Sequence, residues 1–172
     1  GIEGLRLDVA NEVDQQMWRD LRSHVKAEDP NTYILGEEWG NASKWLQGDQ
    51  WDASMNYPFR DACLRFFAEQ GIGAKEFANR LMANYRQYAP QVSRVQYNLI
   101  SSHDTPRFLT LCNGDSSRAN LAATVLLTWA GVPGGLAAVI VGSVIGWVVS
   151  LAGWSDYMQS AAVVQSLEQF GL

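Results

Sequence analysis

The chain has 172 residues, enough for one domain with a substantial hydrophobic core. Its formal net charge of −5 excludes the strongly basic surface that would neutralise nucleic-acid phosphates. Cys63 and Cys112 stand alone without metal-ligand spacing, which indicates two small buried residues in a reducing compartment.

The first predicted element is a short β-strand near the N-terminus. Leu5, Leu7 and Val9 alternate with polar neighbours, which is the period of a strand. Arg6 and Asp8 are two residues apart, so both side chains leave the same face. The guanidinium favours the ionised carboxylate, and an ionised carboxylate at a strand end can act as a nucleophile. A purely structural Arg–Asp pair at the end of a strand is the alternative interpretation.

An amphipathic helix follows this strand. Val13, Met17, Leu21 and Val25 recur every four residues, with Trp18 beside them, and predict a helix with one face on the sheet. The stretch 29–31 (Asp-Pro-Asn) predicts its end, because a residue that precedes proline avoids the helical region.

Two later strand-like runs also end in acidic residues. Tyr33–Leu35 leads to Glu37, and a run further along the chain leads to His103 and Asp104. Together with Asp8, three strands then carry a carboxylate just past their C-terminal ends, where (β/α) barrels keep their catalytic residues. A metal site formed by Glu37, His103 and Asp104 is an alternative, but the spacing of these residues does not support it.

Strands and helices alternate over the rest of the first 133 residues. Strict alternation of this kind predicts a parallel sheet and therefore an α/β fold. The further predicted elements are a strand over 52–55, helices over 60–69 and 74–88, and a last helix capped by Ser116 that runs to about Trp129.

Four motifs stand in order along the chain: 4–13 (GLRLDVANEV), 34–39 (ILGEEW), 52–59 (DASMNYPF) and 98–107 (NLISSHDTPR). In these motifs the chain resembles the α-amylase superfamily of glycoside hydrolases (family 13), most closely its neopullulanase, cyclomaltodextrinase and maltogenic amylase branch. The resemblance implies that residues 1–133 form a partial (β/α)8 TIM barrel, about strands four to seven of the catalytic domain. A complete barrel typically needs about 250 residues.

The resemblance implies retaining hydrolysis, in which two carboxylates about 5–5.5 Å apart act on opposite sides of the glycosidic bond. It assigns the nucleophile to Asp8, which Arg6 keeps ionised and oriented. It assigns the general acid, and later the base, to Glu37. The implied substrates are cyclodextrins, pullulan or maltooligosaccharides, cleaved at α-1,4 bonds, with α-1,6 bonds left open.

The other site residues that the resemblance implies bind the sugar. Asp104 clamps sugar hydroxyls and favours the distorted, oxocarbenium-like ring, while His103 donates to the same sugar. Glu12 and Trp39 line the leaving-group side, and Arg107 belongs to the same substrate-binding set.

Cofactors and partners follow from the same resemblance. It implies no cofactor and no metal site within these residues, although a calcium site in a full-length parent stays open. The expected parent is a cytoplasmic homodimer that binds α-glucan oligosaccharides and neither nucleic acid nor a membrane. Because strands one to three of the family barrel have no counterpart here, we expect the isolated chain to hydrolyse no α-glucan at a useful rate.

The sequence changes character after Pro133, and residues 134–172 are therefore assigned to a separate, divergent segment. The stretch 134–153 is uncharged and about 20 residues long, the length of a membrane-spanning helix. A spliced tail, a divergent eighth strand and a membrane anchor are the three interpretations. The alternatives to an active hydrolase are a truncated non-catalytic remnant that serves as a binding or assembly module, and a protein that associates with membranes through 134–153.

Overall fold

A sheet of five parallel strands organises residues 2–134, the part of the chain that the computed structural model describes. The strands lie side by side in the order in which they occur along the chain, and every neighbouring pair is parallel. This is the wall of a (β/α) barrel, so the predicted α/β fold is confirmed. The strands are β1 (Gly4–Leu7), β2 (Tyr33–Gly36), β3 (Ala53–Asn56), β4 (Tyr97–Asn98) and β5 (Val132–Pro133).

Helices form most of the connections between these strands. The connection from β2 to β3 consists of turns instead. A 3₁₀ turn, Ala10–Glu12, follows β1, and a π-helical turn, Leu64–Ala68, continues α2. The helices are α1 (Gln15–Glu28), α2 (Tyr57–Cys63), α3 (Ala74–Tyr85), α4 (Pro90–Ser93), α5 (Phe108–Leu111) and α6 (Ser116–Thr128).

The two faces of the sheet pack against different partners. On the outer face, Ile34 of β2 is buried in a cluster with Trp18 of α1 and Trp51. On the inner face, its neighbour Leu35 packs with residues of β3 and with Leu99. Alternate side chains of a strand point to opposite faces, so β2 is covered on both sides.

The last residue of β2 is Gly36, and the ring of Trp51 lies so close to it that a side chain would not fit there. A Cβ atom added to Gly36 would lie 2.3 Å from ring carbons of Trp51, closer than real contacts allow. Gly36 therefore lets the indole lie against the strand immediately before Glu37. Residues 36–37 therefore determine both how the Trp51 ring packs on the strand and where Glu37 lies.

The two cysteines are both free and buried, as predicted. Burial raises the pKa of the Cys63 thiol to about 12. This disfavours the thiolate, which is the form that acts as a nucleophile or metal ligand.

The boundaries of the first two elements differ from the prediction. The first strand ends at Leu7, and Val9, which was expected to belong to it, has left-handed backbone angles of φ 43° and ψ 39°. Met17 was expected to face the sheet but is 54% exposed. The other predicted residues of this face, Val13, Leu21 and Val25, pack against the buried cluster that contains Trp18 and Ile34, so this part of the prediction is confirmed.

The helices after β3 also begin and end at other residues than predicted. The helix expected over 60–69 already begins at Tyr57, because the side chain of Asn56 caps it by accepting the amide of its third residue. The helix expected over 74–88 ends at Tyr85.

The last helix is capped by a different side chain from the one predicted. The carboxylate of Asp115 accepts the backbone N–H groups of Ser117 and Arg118, so Ser116 is the first helical residue rather than the cap. The strand β5, which follows this helix and pairs with β4, was not predicted.

The segment beyond Gly134 lies outside the described residues. The division of the chain after residue 133 and the three interpretations of residues 134–172 therefore stay predictions. Within residues 2–134, no helix is both long and apolar enough to cross a membrane.

Candidate active site

Three charged side chains meet at the carboxyl ends of β1 and β2. The Arg6 guanidinium forms an ion pair with the Asp8 carboxylate through Nη1, and its Nη2 lies 2.9 Å from Oε2 of Glu37. One cation therefore bridges the two carboxylates that were predicted to work together. The arrangement excludes a geometry in which Asp8 and Glu37 point to opposite ends of the sheet.

The two carboxylates differ strongly in their exposure to solvent. The Glu37 side chain is 8% exposed, while the Asp8 side chain is 72% exposed. A ligand that approaches from solvent therefore meets Asp8 directly, whereas Glu37 lies in the floor of the site.

Val9 contributes a contact to this site that was not predicted. Its N–H donates a hydrogen bond of 3.0 Å to Oε2 of Glu37. The left-handed conformation of a β-branched residue costs about 1–3 kcal/mol and persists where the surroundings impose it. Here the conformation turns the amide that follows Asp8 towards Glu37, so the ends of β1 and β2 are joined through both backbone and side chain.

His103 and Asp104 lie in the turn that follows β4. Nε2 of His103 is 3.2 Å from Oδ2 of Asp104, so the two predicted sugar-binding groups contact each other. The backbone N–H of Asp104 donates to Oγ of Ser102 over 3.2 Å. Both the histidine and the carboxylate are open to solvent, as groups that bind a sugar need to be.

An aromatic pair connects the two halves of the site. The rings of Trp39 and Tyr57 are stacked 3.8 Å apart with an interplanar angle of 7°. Trp39 is 51% exposed, and Tyr57 is buried beneath it with its hydroxyl 3.4 Å from Oγ of Ser102. Burial raises the pKa of the Tyr57 hydroxyl, the hydrogen bond to Ser102 opposes the rise, and the carboxylates of Glu37 and Asp104 add to it.

Tyr57 therefore lies within electrostatic reach of both Glu37 and Asp104, although it was not among the predicted site residues. The signal that would have found it is its position. Tyr57 directly follows the C-terminal end of β3, which is the end of the strand where Asp8 and Glu37 were located.

A cleft of about 670 Å³ follows the inner face of the sheet. Its wall along the strands is apolar and includes Leu35, Met55 and Leu99. At the strand-end rim, Arg6 and His103 line the same cleft. The apolar part of this wall is the face that a complete (β/α)8 barrel fills with its own side chains, so a ligand is expected at the strand-end rim and not along the strands.

The two remaining predicted residues lie in different places. Arg107 lines the cleft beside His103 at the start of α5. Glu12 lies exposed in the 3₁₀ turn after β1. Within residues 2–134, its side chain forms no ion pair with the bridging Arg6, so the structure does not bring Glu12 into the charged cluster.

The alternative of a metal site is not supported by these contacts. Glu37 is paired with Arg6, while His103 is paired with Asp104. Over the residues that the structure describes, no group of three or more histidine, cysteine or acidic side chains has the arrangement of a metal site.

A parallel barrel wall with acidic residues at the carboxyl ends of its strands is the architecture of a barrel enzyme. Residues 1–169 match the profile of the family described as "Alpha amylase, catalytic domain". The chain therefore belongs to the α-amylase family of glycoside hydrolases, which confirms the resemblance of the four motifs.

Individual relatives are similar over 77% of the chain. A cyclomaltodextrinase of Geobacillus thermopakistaniensis is 54% identical over 132 residues, which are 22% of its length. Neopullulanase 2 of Thermoactinomyces vulgaris is 47% identical over 133 residues, 23% of its length. The solved structure of a cyclic α-maltosyl-(1→6)-maltose hydrolase from Arthrobacter globiformis superposes with a TM-score of 0.75 at 41% identity and is covered over 30% of its chain. The chain thus spans less than a quarter of the length of the curated relatives.

Proposed function

We propose that residues 1–133 carry the catalytic carboxylates of a retaining α-glucan hydrolase. The observation that supports this most is the guanidinium of Arg6, which bridges an exposed and a buried carboxylate. Two carboxylates close together, one of them accessible to a sugar, match the requirements of the double-displacement mechanism.

In the first step, Asp8 attacks the anomeric carbon. A bond forms between a carboxylate oxygen of Asp8 and C1 of the sugar, and the glycosidic C1–O bond breaks. The bonding electron pair leaves with the glycosidic oxygen, and Glu37 supplies the proton that this oxygen takes up. The high exposure of Asp8 supports its role as the attacking group.

In the second step, water releases the glycosyl group. Glu37, now ionised, accepts a proton from a water molecule whose oxygen attacks C1. The bond between C1 and Asp8 breaks, and Asp8 leaves as a carboxylate. Both displacements invert the anomeric carbon, so the product keeps the α configuration of the substrate.

Arg6 and Val9 hold the carboxylates of Asp8 and Glu37 in fixed positions relative to each other. Arg6 stabilises the charge that Asp8 carries before attack and regains when it leaves. Its second nitrogen and the N–H of Val9 both contact the same oxygen of Glu37, which restricts the rotation of that carboxyl group. Preorganised donors of this kind cost no reorganisation when the reaction takes place.

In this proposal, the sugar is bound at the carboxyl ends of the strands. Asp104 and His103 bind hydroxyl groups of the reacting sugar and favour its distorted ring. The exposed face of Trp39, supported from below by Tyr57, gives an apolar platform for the next sugar ring. Glu12 and Arg107 are proposed to contact sugars further from the cleaved bond, and for Arg107 its place in the lining of the cleft supports this.

The proposed substrates are cyclodextrins, pullulan or maltooligosaccharides. The names of the relatives support this class, since they refer to cyclic maltodextrins, pullulan and a cyclic maltosyl-(1→6)-maltose. These names cover both α-1,4 and α-1,6 bonds, so cleavage of both is part of the proposal. A homodimeric, cytoplasmic parent stays a prediction.

A chimera tests this function, because it supplies the barrel strands that the chain does not contain. Residues 1–133 would replace the matching segment of the Geobacillus cyclomaltodextrinase, and a second chimera would carry Asp8→Asn. We expect the first to hydrolyse β-cyclodextrin, pullulan or maltotriose and the second to be inactive. A chimera with native near-UV circular dichroism but no activity on these substrates would overturn the proposal. The isolated chain, assayed in parallel, is expected to show no useful turnover.

A further inference from the structure

The turn after β4 is closed by the hydroxyl groups of its own residues. The N–H of Ser102 donates to Oγ1 of Thr105 over 2.9 Å, and the N–H of Thr105 donates to the carbonyl of Ser102 over 3.4 Å. His103 and Asp104 are the two central residues of this turn. Their backbone direction is therefore set by contacts between the residues on either side of them.

We propose that Thr105 is a positioning residue for Asp104. Thr105 acts through the turn and not on the sugar itself, since its hydroxyl is engaged by the Ser102 backbone. The inference rests on the proposed role of Asp104 in binding the reacting sugar, and it extends that role to a residue to which no function was assigned from the sequence.

The turn depends on these hydrogen bonds because its central side chains have little packing to hold them. The side chain of His103 is 73% exposed and that of Asp104 is 40% exposed. Their main side-chain contact is with each other, since Nε2 of His103 lies 3.2 Å from Oδ2 of Asp104. The hydrogen-bonded backbone of the turn sets the direction in which both side chains leave it, and therefore where this pair lies.

Both ends of the turn are held by hydrogen bonds to the rest of the fold. A change in the backbone conformation of the turn therefore moves its two central residues. On the N-terminal side, Ser101 is buried and its Oγ accepts the N–H of Phe108, the first residue of α5. Ser102 Oγ receives the N–H of Asp104 and contacts the hydroxyl of Tyr57. Loss of the Thr105 acceptor frees the Ser102 amide and loosens the contacts that join this turn to Tyr57.

A mechanism-based label measures the effect in the chimera described above, in which residues 1–133 lie in a complete barrel. This chimera without further substitutions is called the unmodified chain in the comparisons that follow. With 5-fluoro-α-D-glucosyl fluoride, a bond forms between Asp8 and C1 while the C1–F bond breaks, and fluoride leaves with the bonding electron pair. The 5-fluoro group slows release, so one glycosyl group per molecule accumulates and is counted by intact mass spectrometry. The reaction is followed over hours and needs no turnover of a natural glucan.

The variants compare loss of the hydroxyl with its retention. Thr105→Val keeps the branched shape and removes the hydroxyl, while Thr105→Ser restores it. Thr124→Val is the matched control, because its hydroxyl contacts only the Asn120 carbonyl one turn back in α6 among the described residues. A displacement of about 1 Å costs about a hundredfold in rate. We expect labelling of Thr105→Val to be about 10–100-fold slower, with Thr105→Ser and Thr124→Val close to the unmodified chain.

A double variant separates positioning from a general loss of structure. If Thr105 acts through Asp104, Thr105→Val has no further effect once Asp104→Asn is present, since the two changes then remove the same interaction. Amide hydrogen exchange gives a second measurement, in which Ser102 exchanges faster in Thr105→Val but not in Thr105→Ser. Equal slowing by Thr105→Val in both backgrounds, or labelling of Thr105→Val at the unmodified rate, would overturn the inference.

Failure of the proposed function would look different. If the unmodified chain were not labelled, the catalytic proposal would fall, and Ser102 exchange would then decide whether Thr105 closes the turn. Unchanged exchange in Thr105→Val would overturn that as well, while faster exchange would support it. If labelling occurs and Thr105→Val is labelled at the rate of the unmodified chain, the function stands and the positioning role falls.

Discussion

Two clusters of charged residues lie around β2, and they are built in opposite ways. The first, here the Arg6 cluster, consists of Arg6, Asp8 and Glu37 at the carboxyl ends of β1 and β2. The second, the Asp52 cluster, consists of Arg22, Lys26 and Asp52, where α1 meets the start of β3. Each contains a carboxylate close to a strand, and each joins parts of the chain that are distant in sequence.

The Asp52 cluster surrounds one carboxylate with donors. Arg22 and Lys26 both lie 2.8 Å from its oxygens, and the N–H of Ile34 donates to it over 2.9 Å. Burial raises the pKa of the Asp52 carboxyl, but the hydrogen bonds from Lys26, Arg22 and Ile34 outweigh it, so the pKa lies below its ordinary value. The side chain is 19% exposed.

The Arg6 cluster has the reverse balance of charge, with one cation shared by two carboxylates. Its Asp8 is 72% exposed, so its negative charge faces solvent instead of a shell of donors. The comparison separates Asp8 from Asp52 by the proportion of cations to carboxylates and by exposure. Asp52, enclosed by donors, joins α1 to the sheet, whereas the accessible Asp8 is the carboxylate that we propose as the nucleophile. Glu37 is 8% exposed and engaged by two donors, so exposure does not distinguish it from Asp52.

The largest effect that tests this comparison is expected from Asp8→Asn in the chimera. The change keeps the shape of the side chain and removes the nucleophile, so turnover should fall by about 10⁴-fold or more. Stability should change by less than about 1 kcal/mol, because an exposed ion pair contributes little. Kinetics on β-cyclodextrin together with urea unfolding measure both quantities. A large loss of stability with residual turnover would assign Asp8 a structural role instead.

The next effect concerns the buried partner in the Arg6 cluster. Glu37→Gln should lower turnover of natural glucans by about 10²–10⁴-fold, the contribution of a general acid. An activated aryl glucoside, whose leaving group departs without a proton, should lose far less. Comparing kcat on maltotriose and on 2,4-dinitrophenyl α-glucoside measures the difference. Equal losses on both substrates would speak against Glu37 as the proton donor.

The Asp52 cluster should respond to the same chemical change in stability instead of activity. Asp52→Asn removes a charge that three donors engage, and we expect a loss of about 1–3 kcal/mol in the free energy of unfolding. The labelling rate with the glucosyl fluoride should stay close to that of the unmodified chain. Urea unfolding of the two chains measures the loss. An unchanged unfolding midpoint would show that this cluster does not stabilise the fold.

The pH dependence of stability is a second test of the stabilising role of the Asp52 cluster. The folded pKa of Asp52 lies below the unfolded value of about 3.9. Its contribution is therefore fully present above about pH 4 and is lost as the pH falls through the folded pKa. Arg22 and Lys26 stay charged throughout this range, so the difference in stability between the unmodified chain and Asp52→Asn should shrink below pH 4. A difference that stayed constant between pH 6 and pH 3 would contradict the assignment.

The smallest effect is expected at an exposed pair that belongs to neither cluster. Arg80 Nε lies 2.9 Å from Glu76 Oε1 on the surface of α3. Glu76→Gln should change the free energy of unfolding by about 0.5 kcal/mol or less, because such pairs are screened by solvent. Urea unfolding should therefore rank this substitution well below Asp52→Asn. A comparable loss at both positions would mean that enclosure by donors is not what gives the Asp52 cluster its effect.

The order of the elements and the acidic strand ends could be predicted from the sequence. The alternation of apolar residues marks strands and helices, and a parallel barrel brings all carboxyl ends of its strands to one side. The sequence was therefore sufficient to predict that the carboxylates of Asp8 and Glu37 lie close to each other. The direct contact between Arg6 and Asp8 likewise follows from their spacing.

Other parts of the site could not be predicted, because they depend on contacts between distant segments. Val9 has a β-branched side chain that favours a strand, and only its hydrogen bond to Glu37 makes its left-handed conformation understandable. Trp39 and Tyr57 are 18 positions apart, and no local periodicity predicts that their rings stack. The cap formed by Asp115 was missed because Asp and Ser at neighbouring positions are both good caps.

The most direct test of the central claim is to locate the glycosyl group that 5-fluoro-α-D-glucosyl fluoride leaves on the chain. Tandem mass spectrometry of the digested protein would identify the modified residue in the chimera that carries residues 1–133 unmodified, and in the chimeras with Asp8→Asn and with Asp52→Asn. We expect the adduct on Asp8 in the first and third of these proteins and no adduct in the second. An adduct on Glu37 or Asp104, or labelling of Asp8→Asn at the rate of the unmodified chain, would contradict the assignment of Asp8 as the nucleophile.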